Sequence, residues 1–134
     1  MKLKNILLVV SDLSVSKQFY NDLFGLQVLM EQEGNVIMTE GLDLQDAKIW
    51  NDYVCEQHVL PHYSSLIYFE EYNMENFIEK LQNYQNEIRY VSSPLRIDGK
   101  IELVRIMDPD GHVIEVKKVK NRTYGCVWRC GVIK

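Results

Sequence analysis

Apolar residues recur along this chain with two periods, and the changes between them mark the elements. Residues 4–10 are apolar and β-branched through Ile6, Leu7, Leu8, Val9 and Val10, which predicts a buried strand. Asp12 then stands as the N-cap of a helix over 13–24. In that helix Val15, Phe19 and Leu23, with Tyr20 and Phe24 one face over, form an apolar stripe, and Gly25 supplies the left-handed stop. Three short strands are expected at 27–32, 35–39 and 42–46, parted by Glu33-Gly34-Asn35 and Glu40-Gly41. Residues 47–63 read as a connector that holds a short helix through Trp50 and Tyr53 and ends just past Pro61.

The same order then recurs. Residues 65–70 alternate as a strand, and Asn73 caps a helix over 74–84 with Phe77, Ile78 and Leu81 facing inward. Strands are expected near 88–92, 101–107 and 112–117. Asp108-Pro109-Asp110-Gly111 joins the last two, with proline fixing φ and glycine taking the turn. Two β-α-β-β-β modules, at about 1–46 and 64–117, therefore fill residues 1–117 around the 47–63 connector and leave a C-terminal tail at 118–134.

Composition narrows the class. The 134 residues are 46% hydrophobic and 25% charged with 7 Gly and 3 Pro, which fits one globular domain and excludes disordered or collagen-like chains. The longest aliphatic run, residues 6–10, is far below the ~20 residues that span a bilayer. No membrane association is expected, and the basic start lacks the cleavage site of a signal peptide. Three cysteines, Cys55, Cys126 and Cys130, suit reduced thiols and a cytoplasmic location better than a disulfide framework. Residues 1–116 hold nine basic and nineteen acidic residues, a net of −10, whereas the six charged residues from Lys117 onward are all basic. An acidic body repels nucleic acid and attracts cations into any cleft it forms.

The first opening, Val9-Val10-Ser11-Asp12-Leu13-Ser14-Val15-Ser16-Lys17-Gln18-Phe19-Tyr20, and the second close, Asp108-Pro109-Asp110-Gly111-His112-Val113-Ile114-Glu115-Val116, resemble the glyoxalase/bleomycin resistance/dioxygenase group, the vicinal oxygen chelate superfamily. The resemblance covers about residues 3–117 and implies an α+β fold, its two modules forming an open curved sheet or half-barrel with a concave cleft. It also implies a divalent metal in many members, held by a histidine in the first strand, a histidine in the fifth and a glutamate in the last. The metal-dependent members are lyases, isomerases or dioxygenases that bind adjacent oxygens of a substrate to that Lewis acid.

Carried onto this chain, the first position is Asn5, the second is Leu66 with Ser64 and Ser65 beside it, and only Glu115 keeps the family's residue. The repeat sets Asp43 opposite Glu115 in the first module. Two carboxylates can hold a hard cation such as Mg²⁺ weakly, but without imidazole the position loses its affinity for Zn²⁺, Ni²⁺ or Fe²⁺. Expectation therefore falls on a small-molecule binding protein without a transition metal, with Asn5, Asp43, Trp50, Leu66, Tyr68 and Glu115 in an acidic cleft. The alternative is a metal-dependent enzyme of the glyoxalase kind in which Glu115 is ligand or general base. A homodimer is expected, because open sheets leave edges that a second chain can cover.

The remaining clusters carry less. Cys55, His58 and His62 have ligand types, but Pro61 interrupts a helix through them. Cys126 and Cys130, among Tyr124, Val127 and Trp128, read as packing or interface residues. His112 is expected to be exposed and idle. No nucleophile elbow, phosphate loop or dinucleotide fingerprint is present.

Overall fold

The computed structural model describes residues 1–54 and 66–119. The first strand, β1 (Ile6–Val10), gives way to α1 (Leu13–Phe24) where the Asp12 carboxylate accepts the Val15 amide at 3.1 Å. Gly25 ends α1 at φ 70, in the left-handed conformation that lets its amide bond back to the Asn21 and Tyr20 carbonyls. Three strands follow, β2 (Val28–Gln32), β3 (Asn35–Met38) and β4 (Leu42–Asp46), and then α2 (Ala47–Val54). The second module comprises β5 (Leu66–Glu71), α3 (Met74–Gln82), β6 (Arg89–Tyr90), β7 (Leu95–Ile97), β8 (Lys100–Met107) and β9 (Val113–Lys118).

The strands form two sheets of mixed direction, not closed into a barrel. The order is β1-β4-β3-β2 in the first, and β5-β9-β8-β6 in the second, with β7 paired to β8. The first strand of each module runs parallel to its last, β1 beside β4 and β5 beside β9, and the other pairs are antiparallel. The two modules thus repeat in space as they do in sequence.

Alternation along each strand decides which face is covered. Leu8, Val10, Val36, Met38, Leu42 and Leu44 of the first sheet, and Val104, Ile106, Ile114 and Val116 of the second, are buried with Phe19, Tyr20 and Leu23 of α1 and Phe77 and Leu81 of α3. Aromatic contacts tie the modules together: Phe24 of α1 stacks on Phe69 of β5 at 4.4 Å, and Phe19 meets Tyr84 edge-on at 6.1 Å. The opposite face of each sheet keeps residues such as Leu7, Leu66 and Tyr68 in solvent.

A polar joint reinforces this core. Tyr20 is fully buried, and its hydroxyl donates to Asp108 Oδ2 at 2.7 Å. The other oxygen of Asp108 accepts the amides of Asp110 and His112, and the Asp108 carbonyl accepts the Gly111 amide to close the hairpin. Asp110 in turn accepts the Ser11 amide and the Ser16 hydroxyl. The expected turn is therefore also the contact through which the second module grips the first.

Three expectations change. Val15 is 39% exposed, and Ser16 is buried in its place, because the helix turns its small hydroxyl toward the docking Asp110. His112 is half-buried rather than idle, its Nε2 lying 3.1 Å from the Val9 carbonyl. The strand expected at 88–92 shrinks to Arg89–Tyr90, and β7 is an added strand that makes the second sheet five-stranded. Pro94 separates the two, and Asp98 and Gly99, at φ 53 and 78, turn β7 into β8 as a two-residue hairpin. Cys55, His58, His62, Cys126, Cys130 and the tail from Lys120 lie outside the described residues. No helix among the described residues is long and apolar enough to cross a membrane.

Candidate functional site

Register places the expected residues two by two. Asp43 of β4 lies opposite Leu7 of β1, and Glu115 of β9 lies opposite Tyr68 of β5. Asn5 precedes Leu7 by two residues as Leu66 precedes Tyr68, so the two modules present equivalent positions. In the first, Asn5 Nδ2 donates to Asp43 Oδ1 at 2.8 Å. Gly41 permits this approach: a Cβ there would stand 2.9 Å from the Lys4 carbonyl, so any larger residue would push β4 away from the chain at Asn5.

The second module carries three rows across its open face. Leu66, Val113 and Met107 form an apolar row; Tyr68, Glu115 and Arg105 follow; Glu70, Lys117 and Leu103 complete the third. Arg105 Nε donates to Glu115 Oε1 at 2.8 Å. The Tyr68 hydroxyl donates to Glu70 Oε2 at 3.1 Å. Partial burial, that hydrogen bond and the negative charges of Glu70 and Glu115 push the Tyr68 phenol up to about 12, so it stays a donor at physiological pH.

Asn5 and Asp43 are thus brought together, as are Leu66, Tyr68 and Glu115, whereas no hydrogen bond or ion pair among the described residues joins one group to the other. Trp50 is half-buried on α2. A recess of about 430 Å³ between α1 and α3, lined by Gln18, Asp22, Glu79 and Tyr84 among others, holds none of the expected residues.

Arg105, on the same face, was not among the expected residues. Its signal was present in the hairpin: residues equidistant from Asp110 face each other, which sets Arg105 opposite Glu115. The consequence is chemical, because the one family carboxylate is already neutralised by a guanidinium. Among the described residues no three His, Cys, Asp or Glu side chains converge where they could hold a metal ion. Among the described residues the donor set at Glu115, with a phenol, a leucine and a guanidinium as neighbours, does not fit a transition metal.

Comparison with known proteins agrees with this fold. A crystal structure of a protein of unknown function from Agrobacterium tumefaciens str. C58 superposes with a TM-score of 0.73 at 23% identity, over 90% of this chain and 95% of that one. A glyoxalase/bleomycin resistance protein/dioxygenase family enzyme from Burkholderia phytofirmans PsJN follows at 0.68 and 12% identity, over 87% of this chain and 98% of that one. A mutant of the fosfomycin resistance protein of Listeria monocytogenes, complexed with Mn(II) and a dihydroxypropylphosphonic acid, gives 0.64 at 15% identity, over 87% of this chain and 88% of that one. A search of curated proteins returned no significant match. A family model described as a glyoxalase-like domain matches residues 3–119, nearly the whole described chain, and with it this chain belongs to the glyoxalase-like family of the vicinal oxygen chelate superfamily.

Proposed function

We propose that this chain binds a small molecule on the open sheet faces that carry Asn5, Asp43, Leu66, Tyr68 and Glu115, with Trp50 at their margin, and that it does so without a transition metal. The observation that carries the reading is the Arg105–Glu115 pair at 2.8 Å. A carboxylate paired with a guanidinium is a weaker ligand for a metal, because its charge is already compensated and one of its oxygens is already bonded. Asp43, held by the Asn5 amide, is left as an acceptor for a cationic group. The rings and aliphatic chains of Tyr68 and Leu66, 48% and 49% exposed, supply apolar contact beside these charges. The metal-dependent alternative requires Glu115 as ligand or base, a role that the same ion pair opposes.

A cytoplasmic homodimer is part of the proposal. It is supported by β1 and β5, which stand at the ends of their sheets with Ile6 and Leu66 exposed on them, and a second copy would cover both. Metal analysis of the purified full chain tests the central point. Substoichiometric Zn, Ni, Fe and Mn, together with thermal stabilisation by 2-phenylethylamine exceeding that by 3-phenylpropionate, is the expected result. A stoichiometric transition metal that resists dialysis would overturn it.

A further inference from the structure

Asp-Gly occurs twice in the chain, at Asp98-Gly99 and Asp110-Gly111, and Asn-Gly does not occur. Glycine has no side chain to shield its own amide, so the carboxyl group of an aspartate before it is open to attack by that amide. Asp108 is exempt, because Pro109 has no N–H to attack with. Both dipeptides lie in turns between neighbouring strands, the first from β7 to β8 and the second from β8 to β9, yet their reacting groups stand in opposite circumstances.

At Asp110 every group the reaction needs is occupied. Its Oδ1 accepts the Ser11 amide at 3.1 Å and its Oδ2 the Ser16 hydroxyl at 3.4 Å, while the Gly111 amide donates to the Asp108 carbonyl at 3.0 Å. Gly111 is buried, and freeing these groups means opening the joint between the modules. The β7–β8 hairpin differs at each point. Asp98 and Gly99 are exposed, the Asp98 carboxylate has no hydrogen-bond or ion-pair partner among the described residues, and the Gly99 amide donates to none of them. Beyond the flanking residues no atom lies within 4 Å of a Cβ placed on Gly99. Ring closure requires the peptide plane between the two residues to swing out of their left-handed turn, at φ 53 and 78. Against that swing stand the pairing of β7, three residues long, with β8 and a long contact of 3.5 Å from Arg96 Nη1 to the Gly99 carbonyl.

We infer that Asp98 is a modification site, the place where the folded chain converts aspartate to isoaspartate without an enzyme. The Gly99 nitrogen bonds to Cγ of the Asp98 carboxylic acid, the amide proton and the carboxyl hydroxyl leave as water, and a five-membered imide results. Water then adds to one of the two imide carbonyls. Addition at the side-chain carbonyl restores aspartate. Addition at the main-chain carbonyl gives isoaspartate, with the chain routed through the former side chain and the α-carboxylate left pendant. Composition and net charge end unchanged, and the main chain gains one carbon. That carbon lengthens a two-residue loop whose length fixes the β7–β8 register, so conversion should release β7, a strand held by its pairing to β8. The inference is independent of the small-molecule reading above.

The full chain, kept folded in heavy-oxygen water for weeks at physiological temperature and neutral pH, tests this against a second sample held in urea. Each passage through the imide fixes one heavy oxygen in the residue. Trypsin separates the two turns into peptides 97–100 and 106–117, and mass spectrometry reads label and isoaspartate in each. In the folded chain label should enter 97–100 about tenfold or more faster than 106–117, because hydrogen bonds must open first at Asp110. In urea the two rates should converge. Asp98→Asn, in which ammonia replaces water as the leaving group, should convert faster than the wild-type chain, and circular dichroism verifies that both stay folded. Hydrogen exchange on the aged chain should show the Leu95–Ile97 amides losing protection. Equal rates at the two turns of the folded chain would overturn the inference, as would an unlabelled Asp98 over a period in which the urea sample converts both. Unchanged protection of β7 in the isoaspartate-containing chain would overturn its release.

Discussion

The joint between the modules makes a strong quantitative demand on Tyr20. Its hydroxyl, fully buried, donates at 2.7 Å to Asp108, itself 1% exposed. Tyr20→Phe keeps the ring that packs edge-on against Phe19 at 5.2 Å and removes only the hydroxyl. Asp108 Oδ1 keeps the amides of Asp110 and His112 at 2.9 and 2.8 Å, but Oδ2 is left without a donor among the described residues in a site that water does not reach. A hydrogen bond to a charged group contributes about 1.5–3 kcal/mol, and a buried carboxylate oxygen without a partner puts the loss toward the upper end. For a domain of this size each kcal/mol moves the melting temperature by roughly 3–5 °C, so the variant should melt about 5–15 °C lower.

Urea and thermal unfolding followed by circular dichroism measure this directly, and an unchanged urea m-value would place the effect in the folded state. The pH dependence supplies a second readout. Burial first, then the charge and hydrogen bond of Asp108, raise the Tyr20 phenol well above its ordinary value of 10.0, so folding favours the protonated form. That contribution is complete below about pH 10 and is lost as the pH climbs from there toward the raised folded value. The wild-type chain should therefore lose stability above pH 10 more steeply than Tyr20→Phe. A variant melting within 1 °C of wild type, or one with the same alkaline slope, would show that the buried pair does not hold the modules together.

Further outcomes follow from the same structure. Gly25→Ala should cost about 1 kcal/mol, because the residue sits at φ 70 with open space around it and the penalty is purely one of backbone conformation, read as a lower urea midpoint. Methylglyoxal with glutathione should give no turnover above background when Ni²⁺ or Zn²⁺ is supplied, since Asn5 and Leu66 stand where the resemblance sets imidazoles; turnover abolished by Glu115→Gln would refute this. Binding of 2-phenylethylamine, followed by calorimetry, should weaken as salt rises from low to physiological strength and fall again in Asp43→Asn; affinity indifferent to both would remove Asp43 from the site.

Much of the fold was written in local signals. The α1 limits follow from Asp12 and Gly25, residues whose backbone roles are fixed by their own chemistry, and the strand at 42–46 follows from its alternation. What failed were the places where a distant group intervenes. Val15 and Ser16 are equally plausible on the inner face by period, and the choice is made by Asp110, ninety-four residues away. The β7 strand was signalled by Asp98-Gly99, a strong hairpin dipeptide, but Leu95-Arg96-Ile97 is too short to declare itself against Ser92, Ser93 and Pro94. Its pairing to β8, not its own sequence, makes it a strand.

The repeat that relates the candidate positions of the two modules was legible in the sequence, and their electrostatics was not. Counting charges over residues 1–116 gives a strongly acidic body, yet a net charge says nothing of where charges meet. The Asp108–Gly111 turn fixes an antiparallel register in which a strand residue ten positions earlier must face Glu115, and that residue is arginine. An Arg–Glu pair on the open face changes what the position can do. The family glutamate becomes half of an ion pair, one of its oxygens already bonded to a guanidinium. The face that lacks the imidazoles thus carries both signs of charge. Asn5 and Leu66 at the two imidazole positions and Arg105 beside Glu115 are parts of one arrangement, in which the neighbour of the glutamate bears on its chemistry.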